Sequence, residues 1–222
     1  AARYAFEDRL TYLGDPAHVQ APWQALASVE YGAALAGGIR RQGPRSTKAA
    51  PDPWRFQPVG GRAVHPARVA GPSGDCTTHI GVVDRQRNLV SLTHTAVSLF
   101  GSRVVVPGTG ILLSNGMLWF DPEPGKPNSI APGKRALVNM VPVLAFRRGE
   151  PYLTLGAPGG RKIVSAIPQV LSNLADLRLG PQRAVEAPRL HTEGGELWVD
   201  DRVGAKSLAA LVKMGHPVVA RR

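Results

Sequence analysis

The first 42 residues have the hydrophobic spacing of helices. Apolar positions recur near the helical period until Gly14-Asp15-Pro16, which stops the first helix. A second helix is predicted from about Ser28, an N-cap residue with Tyr31 after it, to Gly37-Gly38. The apolar positions of the first predicted helix are Tyr4, Phe6, Leu10 and Leu13.

From Cys76 onward the pattern changes to short runs that favour β-strands. Residues 77–83 alternate, residues 84–88 form a polar turn and residues 89–97 form a second run, so a hairpin is predicted. Helices that flank a strand-rich middle predict a layered α+β fold. Further strands are predicted at 102–106, 110–113, 141–146, 152–155 and 197–199, and further helices at 162–177, 181–187 and 205–214.

The connections and ends of the chain bear on its organisation. Residues 43–75 lose the hydrophobic periodicity and are rich in Gly and Pro, which predicts an exposed, flexible connection. The chain starts with Ala1 rather than Met and ends at residues 218–222, where another strand begins. We therefore expect a fragment of a longer protein, and the compartment, cytoplasmic or exported, stays open.

Length, charge and composition restrict the function classes. The 222 residues, 43% of them hydrophobic, suffice for a folded core, and no apolar run approaches the ~18 residues of a membrane span. The net charge of +11 would suit nucleic acid, but the basic residues occur singly or in pairs, so no nucleic-acid partner is expected. One cysteine excludes an internal disulfide framework, and six scattered histidines predict neither a metal site nor a cofactor.

A glycine-rich loop is the first candidate for chemistry. The loop Gly156-Ala157-Pro158-Gly159-Gly160 follows a predicted strand and precedes a predicted helix. Backbone N–H groups at a helix N-terminus suit negative charge. No Gly-Lys-Ser/Thr follows, so the loop is not a Walker loop. A plain strand-to-helix turn explains the same residues, and the local pattern leaves both interpretations open.

Thr77 is the second candidate, since it starts a strand directly after the flexible connection. A threonine hydroxyl is a poor nucleophile without an adjacent base, and an N-terminal threonine can use its own α-amine as that base. Such an enzyme needs a precursor that cuts itself immediately before the threonine. The alternative is that Thr77 and Thr78 are ordinary strand residues.

Several motifs in order resemble one family. The run Cys76-Thr77-Thr78-His79-Ile80-Gly81-Val82-Val83-Asp84, followed by Asn88-Leu89-Val90-Ser91-Leu92-Thr93, resembles the start of the small subunit of γ-glutamyltransferases, also called γ-glutamyltranspeptidases or glutathione hydrolases. The later motifs are Phe100-Gly101-Ser102, Thr109-Gly110-Ile111-Leu112-Leu113, Pro132-Gly133-Lys134-Arg135, Gly156-Ala157-Pro158-Gly159-Gly160 and Pro188-Arg189-Leu190-His191. Upstream, Asp8-Arg9 and Tyr12-Leu13-Gly14-Asp15-Pro16 resemble the end of the large subunit.

The resemblance implies an N-terminal-nucleophile (Ntn) hydrolase fold, a four-layer αββα sandwich, here incomplete at both ends. It implies that residues 1–76 are the C-terminal part of the large subunit and residues 77–222 a C-terminally truncated small subunit. One precursor would cleave itself between Cys76 and Thr77. The same resemblance makes Thr77 the nucleophile, Thr95 its hydrogen-bonding partner, and Gly159 and Gly160 the oxyanion hole.

The substrate-binding positions depart from the family pattern. The polar residues that hold the glutamyl α-amine in the family correspond to Val97, Gly116 and Trp119, and the paired serines that hold its α-carboxylate correspond to Val138 and Asn139. Asp121, two positions after Trp119, is a remaining candidate for the amine. Because a buried ammonium without polar partners is costly, efficient glutathione turnover is not expected.

We therefore expect an amidohydrolase or acylase that transfers an acyl or γ-glutamyl group from a small-molecule amide to water or an amine. The altered pocket resembles the broader branch of the family that includes cephalosporin acylases. Two alternatives stay open at this point. One is a genuine glutathione hydrolase or γ-glutamyltransferase, and the other is an inactive or truncated member that never matures.

Overall fold

The computed structural model describes residues 1–39, 50–58 and 76–221. The connection predicted at 43–75 therefore lies largely outside the described residues. The helices are α1 (Ala2–Tyr12), α2 (Trp23–Leu26), α3 (Val29–Gly38), α4 (Lys162–Ala175), α5 (Pro181–Glu186) and α6 (Ala205–Lys213). The strands are β1 (Thr77–Val83), β2 (Leu89–Thr95), β3 (Val143–Arg147), β4 (Glu150–Leu155), β5 (Leu190–His191), β6 (Leu197–Asp200) and β7 (Val218–Arg221).

The chain divides into two units, and the first draws on three separate segments. It comprises residues 1–70, 120–137 and 188–222. Its sheet has the order β5-β6-β7, in which β5 and β6 are antiparallel and β6 and β7 are parallel. The core includes Phe6 of α1 and Tyr31 of α3, both almost fully buried. Phe6 meets His191 of β5 edge-on, with ring centroids 5.7 Å apart. The first and last segments of the unit thus share one core.

Helix α3 begins where its sequence predicts. The side chain of Ser28 accepts a hydrogen bond from the backbone N–H of Tyr31 at 3.1 Å. This bond satisfies one of the donors that a helix N-terminus leaves without a partner. The predicted cap at Ser28 is confirmed.

The second unit comprises residues 71–119 and 138–187 and contains two antiparallel hairpins. The predicted hairpin of β1 and β2 is confirmed, and its register pairs Thr77 with Thr95. Side chains join it to the hairpin of β3 and β4: the hydroxyl of Ser91 donates to the carbonyl of Leu155 and accepts from the N–H of Val143, each at 3.1 Å. Helix α4 adds the buried side chains of Ile163, Ile167 and Val170.

The two faces of the β1–β2 hairpin have an unexpected distribution of polarity. The less exposed face carries Thr77, His79 and Gly81 opposite Thr95, Thr93 and Ser91. The other face presents apolar side chains to solvent, each about half exposed. They are Ile80, Val82, Val90 and Leu92. Alternation along a strand separates two faces but does not say which one packs inward.

The prediction of strands at 102–106 and 110–113 is wrong. These residues form only an isolated antiparallel bridge between Val105 and Leu112. Arg103, Gly108 and Gly110 all have positive φ angles, of 62°, 76° and 70°. Left-handed backbone at these positions interrupts the extended conformation that a ladder needs. None of the helices within the described residues has the length and apolarity that crossing a bilayer requires.

Candidate active site

Thr77 and Thr95 meet at the open end of the β1–β2 hairpin. Thr77 is the first residue of β1 and Thr95 the last of β2, and the two are directly opposite in the antiparallel register. Their side chains lie on the same face because opposite residues share a face. The hydroxyl of Thr77 donates to Oγ1 of Thr95 at 3.1 Å. The structure therefore brings together the two threonines that the resemblance paired.

The hydroxyl of Thr95 makes two further contacts. It donates to the carbonyl oxygen of Cys76 at 3.3 Å, and it accepts from the backbone N–H of Val97 at 2.9 Å. A hydroxyl has one proton to donate and two lone pairs to accept with, so the contacts to Thr77, Cys76 and Val97 use its full capacity. Thr95 is thus held in one orientation, bonded to both sides of the Cys76–Thr77 peptide.

Val97 has a strained backbone. Its φ of +71° is in the left-handed region, which β-branched residues avoid, and its side chain is 6% exposed. The bond from its N–H to Thr95 helps hold it there. Strain of this kind is held in place by surrounding structure and is common at functional sites. The sequence gives no signal of this conformation, because valine is an unlikely residue for it.

The glycine loop connects β4 to α4. Gly159 and Gly160 have φ angles of 130° and 58°, and their carbonyls accept from the N–H groups of Lys162 and Ile163 at the start of the helix. Among the described residues, the N–H groups of Gly159 and Gly160 have no hydrogen-bond acceptor. Free N–H donors before a helix form a site suited to negative charge.

The pocket positions Gly116 and Trp119 belong to a short 3-10 turn, Gly116–Trp119. The preceding residue, Asn115, ties this turn to the segment that follows β2. Its N–H donates to the carbonyl of Ala96 at 2.9 Å and its side-chain amide to Ser98 at 3.1 Å. The structure therefore brings the turn next to the segment that carries Val97. Sequence reasoning missed this role of Asn115.

The remaining positions predicted to line the pocket are Val138, Asn139 and Asp121. Val138 and Asn139 belong to the second unit and precede β3. Asp121 belongs to the first unit, where it is 2% exposed and lies 3.4 Å from the ammonium of Lys126. Its role as a ligand for a substrate amine stays a prediction. Within the described ranges, no three His, Cys, Asp or Glu side chains are grouped to hold a metal ion.

His79 is a further residue that sequence reasoning left without a role. It lies two positions after Thr77 on the same face of β1, and its Nδ1 is 3.0 Å from Oγ1 of Thr93. Its Nε2 is buried and has no hydrogen-bond partner among the described residues. The signal that could have found it is its even spacing from Thr77.

Comparison with known proteins identifies the family. The sequence model described as Gamma-glutamyltranspeptidase matches residues 1–222. The chain belongs to the gamma-glutamyltranspeptidase family. This match covers every motif on which the resemblance was based, from Asp8-Arg9 to Pro188-Arg189-Leu190-His191.

Relatives within the gamma-glutamyltranspeptidase family include an acylase and a hydrolase. The chain is 37% identical over 219 residues to the "Acylase ACY 1 proenzyme" of Pseudomonas sp. (strain SE83), covering 99% of this chain and 36% of that protein. It is 34% identical over 233 residues to the "Glutathione hydrolase proenzyme" of Escherichia coli (strain K12), covering 100% and 38%. The chain thus spans little more than a third of the length of these curated relatives.

A solved structure shares the fold over nearly the whole chain. The cephalosporin acylase of Bacillus halodurans matches with a TM-score of 0.78 and 26% identity, covering 99% of this chain and 37% of that one. The described residues combine helices and strands, as the α+β prediction requires. The expected relation to Ntn-hydrolase transpeptidases and acylases is confirmed.

Proposed function

We propose that this chain carries the catalytic threonine of a self-cleaving amidohydrolase or acyltransferase of the gamma-glutamyltranspeptidase family. The observation that supports this best is the hydrogen-bond chain from Thr77 through Thr95 to the carbonyl of Cys76. It joins a nucleophilic hydroxyl, a second hydroxyl and the carbonyl oxygen of the peptide that would be cut. The names of both relatives as proenzymes agree with a precursor that matures by cleavage.

In the proposed cleavage, Oγ1 of Thr77 attacks the carbonyl carbon of Cys76. Negative charge develops on the Cys76 oxygen, where the Thr95 hydroxyl already donates. The peptide C–N bond then breaks, the Thr77 nitrogen takes up the hydroxyl proton, and an ester links Cys76 to Thr77. Water hydrolyses this ester, which leaves a carboxylate on Cys76 and a free α-amine and hydroxyl on Thr77. A threonine nucleophile usually needs a positioned base to activate it.

After cleavage, the α-amine of Thr77 would serve as the base for its own hydroxyl. The hydroxyl attacks a substrate amide, the leaving amine takes the proton, and an acyl-threonine forms. Water or an acceptor amine then releases the acyl group. The free N–H groups of Gly159 and Gly160 are our candidates for the oxyanion hole, since such donors stabilise charge as it develops.

The proposed subunits are residues 1–76, as the end of a large subunit, and residues 77–222, as part of a small subunit. The fold would be a four-layer αββα sandwich that residues outside this chain complete. The apolar face of the β1–β2 hairpin, with Ile80 and Leu92 about half exposed, supports a further layer on that side.

For the acyl group, we propose a pocket more apolar than a glutamyl site. Val97 supports this, because it is a buried apolar side chain next to Thr95 at a position where the family pattern has a polar residue. A relative named as an acylase proenzyme agrees with acyl transfer in general. A buried ammonium would lack a polar partner at Val97 and lose several kcal/mol of solvation.

Mass spectrometry of the full-length protein tests the cleavage. We expect a fragment that begins at Thr77, and we expect Thr77→Ala to leave the chain uncut. A panel of anilides with γ-glutamyl and with uncharged acyl groups tests the pocket. An uncut unaltered protein would contradict the cleavage, whereas a strong preference for the γ-glutamyl anilide would contradict only the altered pocket.

A further inference from the structure

His79 and Gly156 form a close contact between the strand of the nucleophile and the glycine loop. Gly156 follows the last residue of β4 and starts the loop that holds Gly159 and Gly160. A Cβ built on Gly156 would lie 2.1 Å from Nδ1, 2.2 Å from Cε1 and 2.7 Å from Cγ of the His79 ring. The imidazole therefore occupies the space that any side chain at position 156 would need.

Space, rather than backbone conformation, explains glycine at this position. Gly156 is not among the glycines with positive φ, so its backbone is one that alanine adopts without strain. Gly159 and Gly160 differ, since both have positive φ. An alanine at 156 would thus act through its contact with His79.

His79 itself is fixed from the hairpin side. Its Nδ1 lies 3.0 Å from the hydroxyl of Thr93, and this pair is the next pair along the face that carries Thr77 and Thr95. Leu155, the last residue of β4 before the loop, is fixed as well, because the Ser91 hydroxyl donates to its carbonyl at 3.1 Å. The end of β4 and the first residue of the glycine loop therefore both contact the β1–β2 hairpin.

We propose that His79 is a positioning residue that sets how far the loop of Gly159 and Gly160 lies from the hydroxyl of Thr77. The imidazole ring acts as the spacer. The hydroxyl of Thr93 fixes the ring, and the backbone of Gly156 packs against it. This inference depends on the proposed function, in which Thr77 attacks and the loop stabilises the oxyanion. A displacement of about 1 Å between reacting groups can cost roughly 100-fold in rate, so a spacer of this kind would matter for turnover.

The test measures steady-state kinetics and thermal unfolding of the full-length cleaved protein with the best anilide substrate. We expect Gly156→Ala to lower kcat by about 10- to 100-fold with little change in KM, because a displaced oxyanion hole weakens transition-state binding and not substrate binding. Gly180→Ala is the matched control, since Gly180 has open space around its Cβ and no positive φ, and we expect normal kcat there.

The double variant His79→Ala/Gly156→Ala separates positioning from general destabilisation. Removing the ring makes room for the added methyl group, so we expect kcat of the double variant to exceed that of Gly156→Ala alone. His79→Gln, which keeps a polar group opposite Thr93, should keep more kcat than His79→Ala. Normal kcat in Gly156→Ala, or no recovery in the double variant, would overturn the inference. No activity in the unaltered protein would instead overturn the proposed function.

Discussion

Thr95 hydrogen-bonds on one side to the hydroxyl of Thr77 and on the other to the carbonyl of Cys76, at 3.1 and 3.3 Å. A single hydroxyl therefore contacts both the proposed nucleophile and the oxygen on which charge would develop. Because Val97 N–H occupies its remaining lone pair, the proton of Thr95 is directed towards Cys76. We therefore propose that Thr95 acts in cleavage as well as in turnover.

Replacing Thr95 by valine should slow the release of the fragment that begins at Thr77. The change keeps the shape of the side chain but removes the donor to the Cys76 carbonyl, and loss of one such donor typically costs about 100-fold in rate. Thr95→Ser keeps the hydroxyl and should cleave much faster than Thr95→Val. A time course of the intact and cleaved masses of the full-length protein measures both rates.

Thr109→Val provides the control for this substitution. Thr109 is exposed, and its hydroxyl bonds only within its own turn, to Val106 and Ile111. We expect an unchanged cleavage rate in this variant. Equal rates in Thr95→Val and the unaltered protein would show that the bond to Cys76 has no part in the reaction.

The hairpin illustrates how far the sequence determines this site. Alternation from Thr77 and a polar turn predicted two paired strands, and the resemblance paired Thr77 with Thr95. Alternation could not predict that Ile80 lies on the exposed face and His79 on the packed one, because that depends on what covers each face. The contact between His79 and Gly156 likewise joins residues far apart in sequence, and no local pattern encodes it.

Left-handed backbone explains where local prediction failed. Arg103 and Val97 both have positive φ, although neither residue type favours it. The surrounding contacts select these conformations: Val97 donates to Thr95, and Arg103 donates from its backbone to Phe100. At both positions a hydrogen bond within a local turn accompanies a conformation that the residue type alone does not favour.

The substitution Val97→Asn should lower the free energy of unfolding by less than the introduction of a polar side chain at a buried position normally does. Asparagine tolerates the left-handed region, and relief of the valine strain recovers roughly 1–2 kcal/mol against the cost of burying the amide. Val170→Asn is the matched comparison, because Val170 is also 6% exposed but lies in helix α4. In urea unfolding, the loss in free energy of unfolding should be at least about 1 kcal/mol smaller for Val97→Asn than for Val170→Asn. Equal losses would mean that Val97 is not strained.

The double variant Val97→Asn/Trp119→Asp should shift preference towards γ-glutamyl substrates. It introduces polar side chains at two positions that the sequence resemblance matches to the family's amine ligands. A gain of about 1.4 kcal/mol in binding the ammonium corresponds to a tenfold rise in relative kcat/KM. The ratio of kcat/KM for a γ-glutamyl anilide to that for an uncharged acyl anilide measures this shift. An unchanged ratio would contradict the assignment of these two positions to the acyl pocket.

The buried pair of Asp8 and Tyr31 should make stability depend on pH. Burial raises the pKa of Asp8 to about 6, although the hydrogen bond from Tyr31 opposes this rise. An unfolded aspartate titrates near ~3.9, so the folded state binds the additional proton between about pH 4 and 6. Stability is then greatest below this range and falls as pH rises through it, by on the order of 2 kcal/mol for this group.

Asp8→Asn isolates that contribution. The variant stays uncharged, so it should unfold at higher urea concentration than the unaltered protein at pH 7 and at a similar concentration at pH 4. Asp201→Asn, at an exposed position, is the control and should change neither value. If Asp8→Asn is less stable than the unaltered protein at pH 7, the ionised carboxylate stabilises the fold, and the expected pH dependence is wrong.

The ion pair of Asp15 and Arg135 joins residues on either side of the proposed cleavage point. Oδ1 of Asp15 accepts from Nη2 of Arg135 at 2.8 Å, and Oδ2 accepts from its backbone N–H at 2.8 Å. Oδ1 also accepts from the N–H of Ala17 at 3.1 Å. The Asp15 side chain is 1% exposed, whereas that of Arg135 is 75% exposed. Asp15 is therefore the buried centre of the contact, and most of its bonds come from backbone or from a guanidinium that reaches it from solvent.

Asp15→Asn should consequently lower Tm more than Arg135→Ala does. The asparagine loses a charged acceptor and places an NH₂ group among N–H donors, whereas Arg135→Ala leaves the backbone N–H bonds to Asp15 intact. The hydrogen bonds from Arg135 hold the pKa of Asp15 well below its usual range. Its stabilisation is therefore present above about pH 4 and is lost as the pH falls further, so the difference in Tm between the unaltered protein and Asp15→Asn should shrink at pH 3. Thermal unfolding of the cleaved full-length protein at pH 7 and pH 3 measures both effects, and a larger loss in Arg135→Ala would show that the exposed guanidinium, not the buried carboxylate, carries the contact.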